Sequence, residues 1–62
     1  MHHTIAAEAV RLRREAQECR LVARLMSLKD DARRLLDMAR AFEADAEAAE
    51  RVLQGHDGLA AT

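Results

Sequence analysis

Proline, tryptophan and tyrosine are absent from this 62-residue chain, which has one phenylalanine, one cysteine and two glycines. A chain this short buries only about 60% of its unfolded surface, so a stable monomer normally needs a further restraint. The single cysteine excludes an internal disulfide as that restraint. The scarcity of β-branched and aromatic residues argues against strands, and no apolar run reaches the roughly 18 residues that a transmembrane helix needs.

Alanine, glutamate, arginine and leucine make up most of the sequence, and charged residues account for 34% of it. This composition is typical of helical hairpins, bundles and coiled coils. The net charge of −1 argues against a dedicated nucleic-acid binder, which is usually more basic. The first ten residues lack the basic-then-apolar build of a signal peptide. Together with the lone thiol, this predicts a cytoplasmic protein with no membrane partner.

Two stretches of the chain carry apolar residues at alternating spacings of three and four. Such spacing places them on one helix face, as positions a and d of a heptad. Alanine at position a lets two helix backbones approach closely, so we expect the two stretches to pack as an antiparallel pair. The predicted hairpin seam consists of Ile5, Ala9, Leu12, Ala16, Cys19, Ala23, Met26, Ala32, Leu35, Ala39, Phe42, Ala46, Ala49 and Leu53.

The two heptad registers differ in phase by two residues within the segment MSLKDDARR, residues 26–34. A continuous coiled coil would need a sharp distortion to absorb this slip, whereas a turn absorbs it without strain. Ser27 is the predicted N-cap of a second helix, with Asp30 three residues later. One long helix in a parallel dimer or trimer is the alternative.

The fold that follows is all-α, an antiparallel helical hairpin that forms a single domain over residues 1–62. Helix 1 is expected over about residues 4–26 and helix 2 over about residues 28–53. Gly55 occupies the place of a C-terminal cap, and residues 55–62 are expected to form a disordered tail. The fold-back also predicts a salt bridge between Arg13 and Glu43.

A second group of apolar residues lies away from the seam, near the end of helix 1. A lone hairpin cannot cover them, and an exposed apolar stripe marks an interaction site. The simplest solution is a two-fold dimer of hairpins that forms a four-helix bundle. The predicted oligomer or partner interface consists of Leu21, Val22, Leu25, Leu28 and Met38.

The sequence offers no constellation for chemistry, so we predict no catalytic, cofactor-binding or metal residues. Cys19 at position d is expected to be a small buried hydrophobe, and no histidine lies on either helix to activate it. The a and d positions hold no carboxylate for a di-iron site. His2, His3 and His56 lie at chain ends that a hairpin brings together, so a weak metal cluster there is an alternative.

In plan the predicted fold resembles the plasmid copy-number repressor Rop, a dimeric hairpin of similar length that binds paired RNA loops. The resemblance implies RNA binding as an alternative function. Helix 1 presents four side chains that can contact phosphate, although it offers no aromatic ring to stack on bases. These candidate RNA contacts are Arg13, Gln17, Arg20 and Arg24.

The segments Ala16-Gln17-Glu18-Cys19-Arg20 and Leu35-Leu36-Asp37-Met38-Ala39, followed by Phe42, resemble a set of small uncharacterised bacterial proteins common in alphaproteobacteria. The resemblance covers residues 16–50 and implies a helical hairpin with no known activity, so no site residue carries over. Ser27-Leu28-Lys29-Asp30 departs from the family turn because it lacks the proline. We therefore expect a non-enzymatic, self-associating interaction module. A Rop-like RNA binder, or a small subunit docked on a larger protein, is the alternative.

Overall fold

The computed structural model describes the backbone of residues 4–61 and the side chains of residues 4–55. This part of the chain forms two helices, α1 (Ile5–Leu25) and α2 (Lys29–Ala61), and contains no strand. The helices run antiparallel, since Arg13 and Arg20, in chain order along α1, contact Glu50 and Glu43 of α2 in reverse order. The all-α helical hairpin predicted from the heptads is confirmed.

Local backbone chemistry sets the bounds of α1. The Thr4 hydroxyl oxygen accepts a hydrogen bond from the Ala7 amide at 3.0 Å and so caps the first turn. Met26 then leaves the helix in an extended conformation (φ −79°, ψ 132°), while its amide donates to the Ala23 carbonyl at 3.2 Å. The observed α1 is within one residue of the predicted 4–26 at each end.

The turn differs from the prediction at the start of α2. The Ala32 amide donates to the Leu28 carbonyl at 3.0 Å, which makes Leu28 the residue that immediately precedes the helix. Ser27 lies one position further out, and its hydroxyl makes no hydrogen bond with the described residues. The prediction of Ser27 as N-cap is therefore wrong. The physical reason is that Met26 is extended, so the chain reverses its direction at Ser27 and Leu28 before α2 begins.

The second helix is longer than the predicted 28–53. It begins at Lys29 and continues to Ala61, and Gly55 lies inside it without a positive φ, so the prediction of a C-terminal cap there is wrong. Glycine in a helix interior costs only about 1 kcal/mol relative to alanine, which lowers stability without ending the helix. The predicted tail of residues 55–62 falls in this extension. Its side chains from position 56 onward, and Thr62 as a whole, lie outside the described residues.

Alanines dominate the contact between the helices. Ala16, Cys19 and Ala39 form a buried cluster, and Phe42 packs against it while half-buried. Of the other predicted seam residues, those near the middle are buried or half-buried and three at the ends are exposed. The buried ones are Ala9, Leu12, Ala23 and Ala46, the half-buried ones are Ala32, Leu35 and Ala49, and the exposed ones are Ile5, Met26 and Leu53.

The hairpin is a single layer of two helices. Its Cα atoms span 51 × 26 × 11 Å, with a radius of gyration of 14.8 Å. A compact domain of this length has a radius of gyration of about 11 Å. None of the described large side chains is completely buried. Two helices that touch mainly through alanines form no core that could enclose them.

Enlarging an alanine in this seam tests how closely the helices approach. Ala39, with no exposed surface, has no space for added methyl groups, so we expect Ala39→Leu to lower the free energy of unfolding by about 1–3 kcal/mol. Ala44→Leu adds the same atoms to an exposed position of the same helix and should change it by less than about 0.5 kcal/mol. Urea unfolding monitored by circular dichroism gives both values. Equal effects would contradict the close seam.

The position of the α2 cap can be tested with a pair of substitutions. Leu28→Ser places a hydroxyl acceptor at the capping position, and we expect it to stabilise the hairpin by about 1 kcal/mol. Ser27→Ala removes a hydroxyl that makes no described hydrogen bond and should be nearly neutral. Thermal unfolding at one low protein concentration measures both. Loss of stability in Ser27→Ala with no gain in Leu28→Ser would show that Ser27 is the cap in solution.

Candidate interaction surfaces

An antiparallel helix pair has two flanks beside its seam, one formed by the e positions of both helices and one by the g positions. Arg13, Arg20, Glu43 and Glu50 occupy e positions, and we call their side the ion-pair flank. Val22 and Met38 occupy g positions, and we call their side, with the adjoining outer face of α1, the apolar flank. The chemistry of the two flanks differs enough to treat each as a separate candidate surface.

Two bidentate ion pairs join the helices along the ion-pair flank. Arg13 donates from Nε to Glu50 Oε2 at 3.2 Å and from Nη2 to Glu50 Oε1 at 2.7 Å. Arg20 holds Glu43 in the same way, with its Nε at 3.2 Å from Oε2. All four side chains remain between 31% and 44% exposed, so water screens these pairs and they orient the helices more than they stabilise them.

The prediction that Arg13 pairs with Glu43 is wrong, since Arg13 pairs with Glu50, two helical turns further from the turn. Helical side chains tilt toward the N-terminus of their own helix. Arg13 therefore reaches away from the turn, and Glu50 reaches back toward it. The tilt shifts the end of a side chain along the helix axis. This shift is small for alanine in the seam and large for arginine and glutamate.

The ion pairs shift the protonation equilibria of the carboxylates. Hydrogen bonds from Arg13 lower the pKa of Glu50, and those from Arg20 lower the pKa of Glu43. The same contacts raise the pKa of both arginines. Each pair therefore stays fully charged over the whole neutral range of pH.

The apolar flank leaves large side chains in water near the turn end of α1. Leu25 is 83% exposed and Leu28 is 65% exposed. Leu21, Val22 and Met38 are each about half exposed. The residues predicted as an oligomer or partner interface are thus uncovered in the single hairpin, and they lie apart from the buried seam.

A feature that the sequence reasoning missed lies beside the turn, on the ion-pair flank. Two adjoining open pockets there share Ala32 and Leu36 and are flanked mainly by basic side chains, and we call them together the turn groove. Its signal in the sequence was the recurrence of basic residues at e and b positions of both helices. It is lined by Arg20, Ala23, Arg24, Lys29, Ala32, Arg33, Leu36, Asp37 and Arg40.

The four candidate RNA contacts do not form one free surface. The guanidinium groups of Arg13 and Arg20 already hold carboxylates. Arg24 lines the turn groove, and Gln17 is exposed. Two of the four candidate RNA contacts are therefore engaged in ion pairs within the hairpin, and Arg24 belongs to the turn groove.

Cys19 and the three histidines are the remaining candidates for chemistry. Cys19 is a buried free thiol in the seam cluster. Within residues 4–55 no three metal-ligating side chains come together, while the cluster suggested at the chain ends involves His2, His3 and His56, which lie outside the described side chains. Neither described helix combines the length and apolarity needed to cross a membrane.

No family model, curated protein or solved structure matches this chain. The resemblance to the alphaproteobacterial hairpin proteins, and the likeness of plan to Rop, stay predictions.

The lowered pKa values of Glu43 and Glu50 predict an acid-sensitive part of the stability. A depressed carboxyl pKa contributes stability above its ordinary value of 4.5, and this contribution is lost as the pH falls through the lowered pKa. We expect thermal stability to fall as the pH is lowered below about 4.5. The double substitution Glu43→Gln with Glu50→Gln should remove much of that dependence.

The matched control replaces two exposed acids that make no ion pair with the described residues, Glu18→Gln with Asp45→Asn. It changes the net charge by the same amount and should keep the acid-dependent loss. Differential scanning calorimetry between neutral pH and pH 3 compares the three proteins. An equal flattening in both double variants would contradict a specific role for the two bridges.

Proposed function

We propose that this chain is a non-enzymatic helical hairpin that self-associates through its apolar flank and serves as a small protein-interaction module. One observation carries the proposal. Five large apolar side chains that the seam does not use, four of them within residues 21–28 and one on α2, are 46% to 83% exposed. They are Leu21, Val22, Leu25, Leu28 and Met38.

The distribution of apolar surface supports this proposal. The seam buries mainly alanines, and at about 25 cal/mol per Å² each of these contributes little. Full burial of a leucine, valine or methionine contributes about 1.5–3 kcal/mol. Covering the apolar flank therefore offers more stabilisation per residue than the seam itself, which gives a thin hairpin a physical reason to associate.

A second copy of the chain fits this surface. A layer 11 Å thick becomes a two-layer bundle when another hairpin covers it, and a two-fold axis lets each apolar flank cover the other. The c positions beside the flank carry Glu18 on α1 and Arg34 on α2. The g positions of the flank itself carry Glu15, Asp31 and Asp45, so two identical surfaces approach favourably only where a base of one chain meets these acids of the other.

Sedimentation velocity over a range of concentrations tests self-association. We expect wild-type mass to rise with concentration toward that of a dimer and Leu25→Lys to remain monomeric. Lysine is chosen because a cation suits the C-terminal end of α1, so the helix should be retained. The control is Val10→Lys, which alters a valine that is 59% exposed at a b position, next to the ion-pair flank, and it should associate like the wild type.

Two results would overturn the proposal. The first is a wild-type chain that stays monomeric at every concentration with its leucines exposed. The second is an oligomer whose mass is the same in Leu25→Lys as in the wild type. Circular dichroism of both variants separates loss of association from loss of helix.

A further inference from the structure

The turn groove contains basic side chains that the hairpin leaves without partners. Arg24, Lys29 and Arg33 make no ion pair with any residue that the structure describes. Arg40 makes only a loose contact with Asp37, at 3.7 Å, and both of those side chains are well exposed. Arg20 is held by Glu43 at the far end of the groove. Three cations are therefore free to bind an external anion.

The floor of the groove is apolar. Ala23 is buried, and Ala32 and Leu36 are half-buried between the basic walls. Lys29 and Arg40 mark its extent along α2, and eleven residues of helix correspond to about 16 Å. The groove thus matches about three turns of a helix and combines cationic walls with a patch for one apolar side chain.

We propose that the turn groove binds a short acidic helical segment of a partner protein, with carboxylates on Arg24, Lys29 and Arg33 and one apolar side chain over Leu36. Charge complementarity favours this occupant, since the walls supply cations from both helices. Carboxylates and guanidinium groups pair in a planar, bidentate way that fixes the register of a bound helix.

The limits of the groove argue against a long polyanion. Beyond the Arg20–Glu43 bridge the same flank continues with Glu47 and Glu50. Glu50 is already neutralised by Arg13 and Glu47 adds a negative charge, so a nucleic-acid strand that followed the flank would find no further unpaired cation on it among the described residues after about 16 Å. A segment of about three turns ends before it reaches this part of the flank.

This surface is distinct from the proposed self-association interface. The groove lies on the ion-pair flank, and the apolar residues lie on the other flank. A dimer formed through the apolar flank would therefore present two turn grooves. Leu25→Lys tests the apolar flank and the groove variant tests the turn groove, so the two proposals can fail separately.

The test uses the full chain and a fluorescently labelled synthetic helix of about three turns, rich in glutamate and alanine with one central leucine. We expect it to bind at low salt. The triple variant Arg24→Gln, Lys29→Gln, Arg33→Gln should weaken binding by about tenfold. The control variant Arg14→Gln, Arg34→Gln, Arg51→Gln removes the same charge from exposed residues outside the groove that make no described ion pair, and it should change affinity by less than about twofold.

A second comparison tests the apolar contact with the floor of the groove by changing the peptide and leaving the hairpin unchanged. Replacing the leucine of the peptide by alanine should weaken binding several-fold, because the contact over Leu36 is lost. Circular dichroism establishes that both triple variants remain helical. Support for the proposal requires the groove variant, and not the control, to lose affinity.

Three results would overturn it. Equal losses in the two triple variants would show that only net charge attracts the peptide. A single-stranded RNA of equal charge that binds more tightly than the peptide, through the same three residues, would identify a nucleic-acid site. Loss of self-association in the groove variant, with no peptide binding to the wild type, would assign the groove to a second copy of the chain.

Discussion

The close approach of two helices along an alanine seam is the constraint on which the rest of this structure depends. Ala16 and Ala39 lie against each other's helix with almost no exposed surface, and Cys19 completes the same cluster. Small side chains let the backbones come near, but they enclose no interior. The molecule is consequently long and thin, and its larger side chains must find other neighbours or remain in water.

The seam also determines what each flank can do. On one flank, arginine and glutamate reach across the seam at an offset set by the tilt of helical side chains, and the two bidentate bridges fix the pairing of α1 with α2. Near the turn, Arg24, Lys29 and Arg33 of the turn groove make no ion pair with the described residues, although Asp37 lies among them. On the other flank, the large apolar side chains are exposed to water, which is unfavourable. One hairpin therefore presents two surfaces of different chemistry.

Features that repeat along the chain could be predicted from the sequence. The three-and-four spacing of Ala9, Leu12 and Ala16 identified the helices and their buried face, because many residues agree on one phase. The outer position of Leu25 followed from the same register. The partner of Arg13 could not be predicted from which residues lie directly opposite each other in the helix pair. It also depends on how far long side chains tilt along the helix axis.

Features set by single residues were harder to predict. Whether Ser27 or Leu28 precedes α2 depends on one pair of backbone angles at Met26, which no periodicity encodes. The continuation of α2 through Gly55 reflects a cost of only about 1 kcal/mol, which is too small to end the helix by itself. The turn groove was missed because its walls come from two segments whose charges, taken separately, indicate an ordinary solvated face.

The most direct test of this account is the distance between spin labels attached at Arg14→Cys and Ala44→Cys in a Cys19→Ala background. Both sites are exposed f positions on the outer faces of the helices, thirty residues apart in sequence. Pulsed electron paramagnetic resonance, with labelled chains diluted in unlabelled ones, measures this distance within one molecule. The hairpin predicts about 20–30 Å. A distance near 45 Å, the length of thirty residues of uninterrupted helix, would contradict the folded seam and everything built on it.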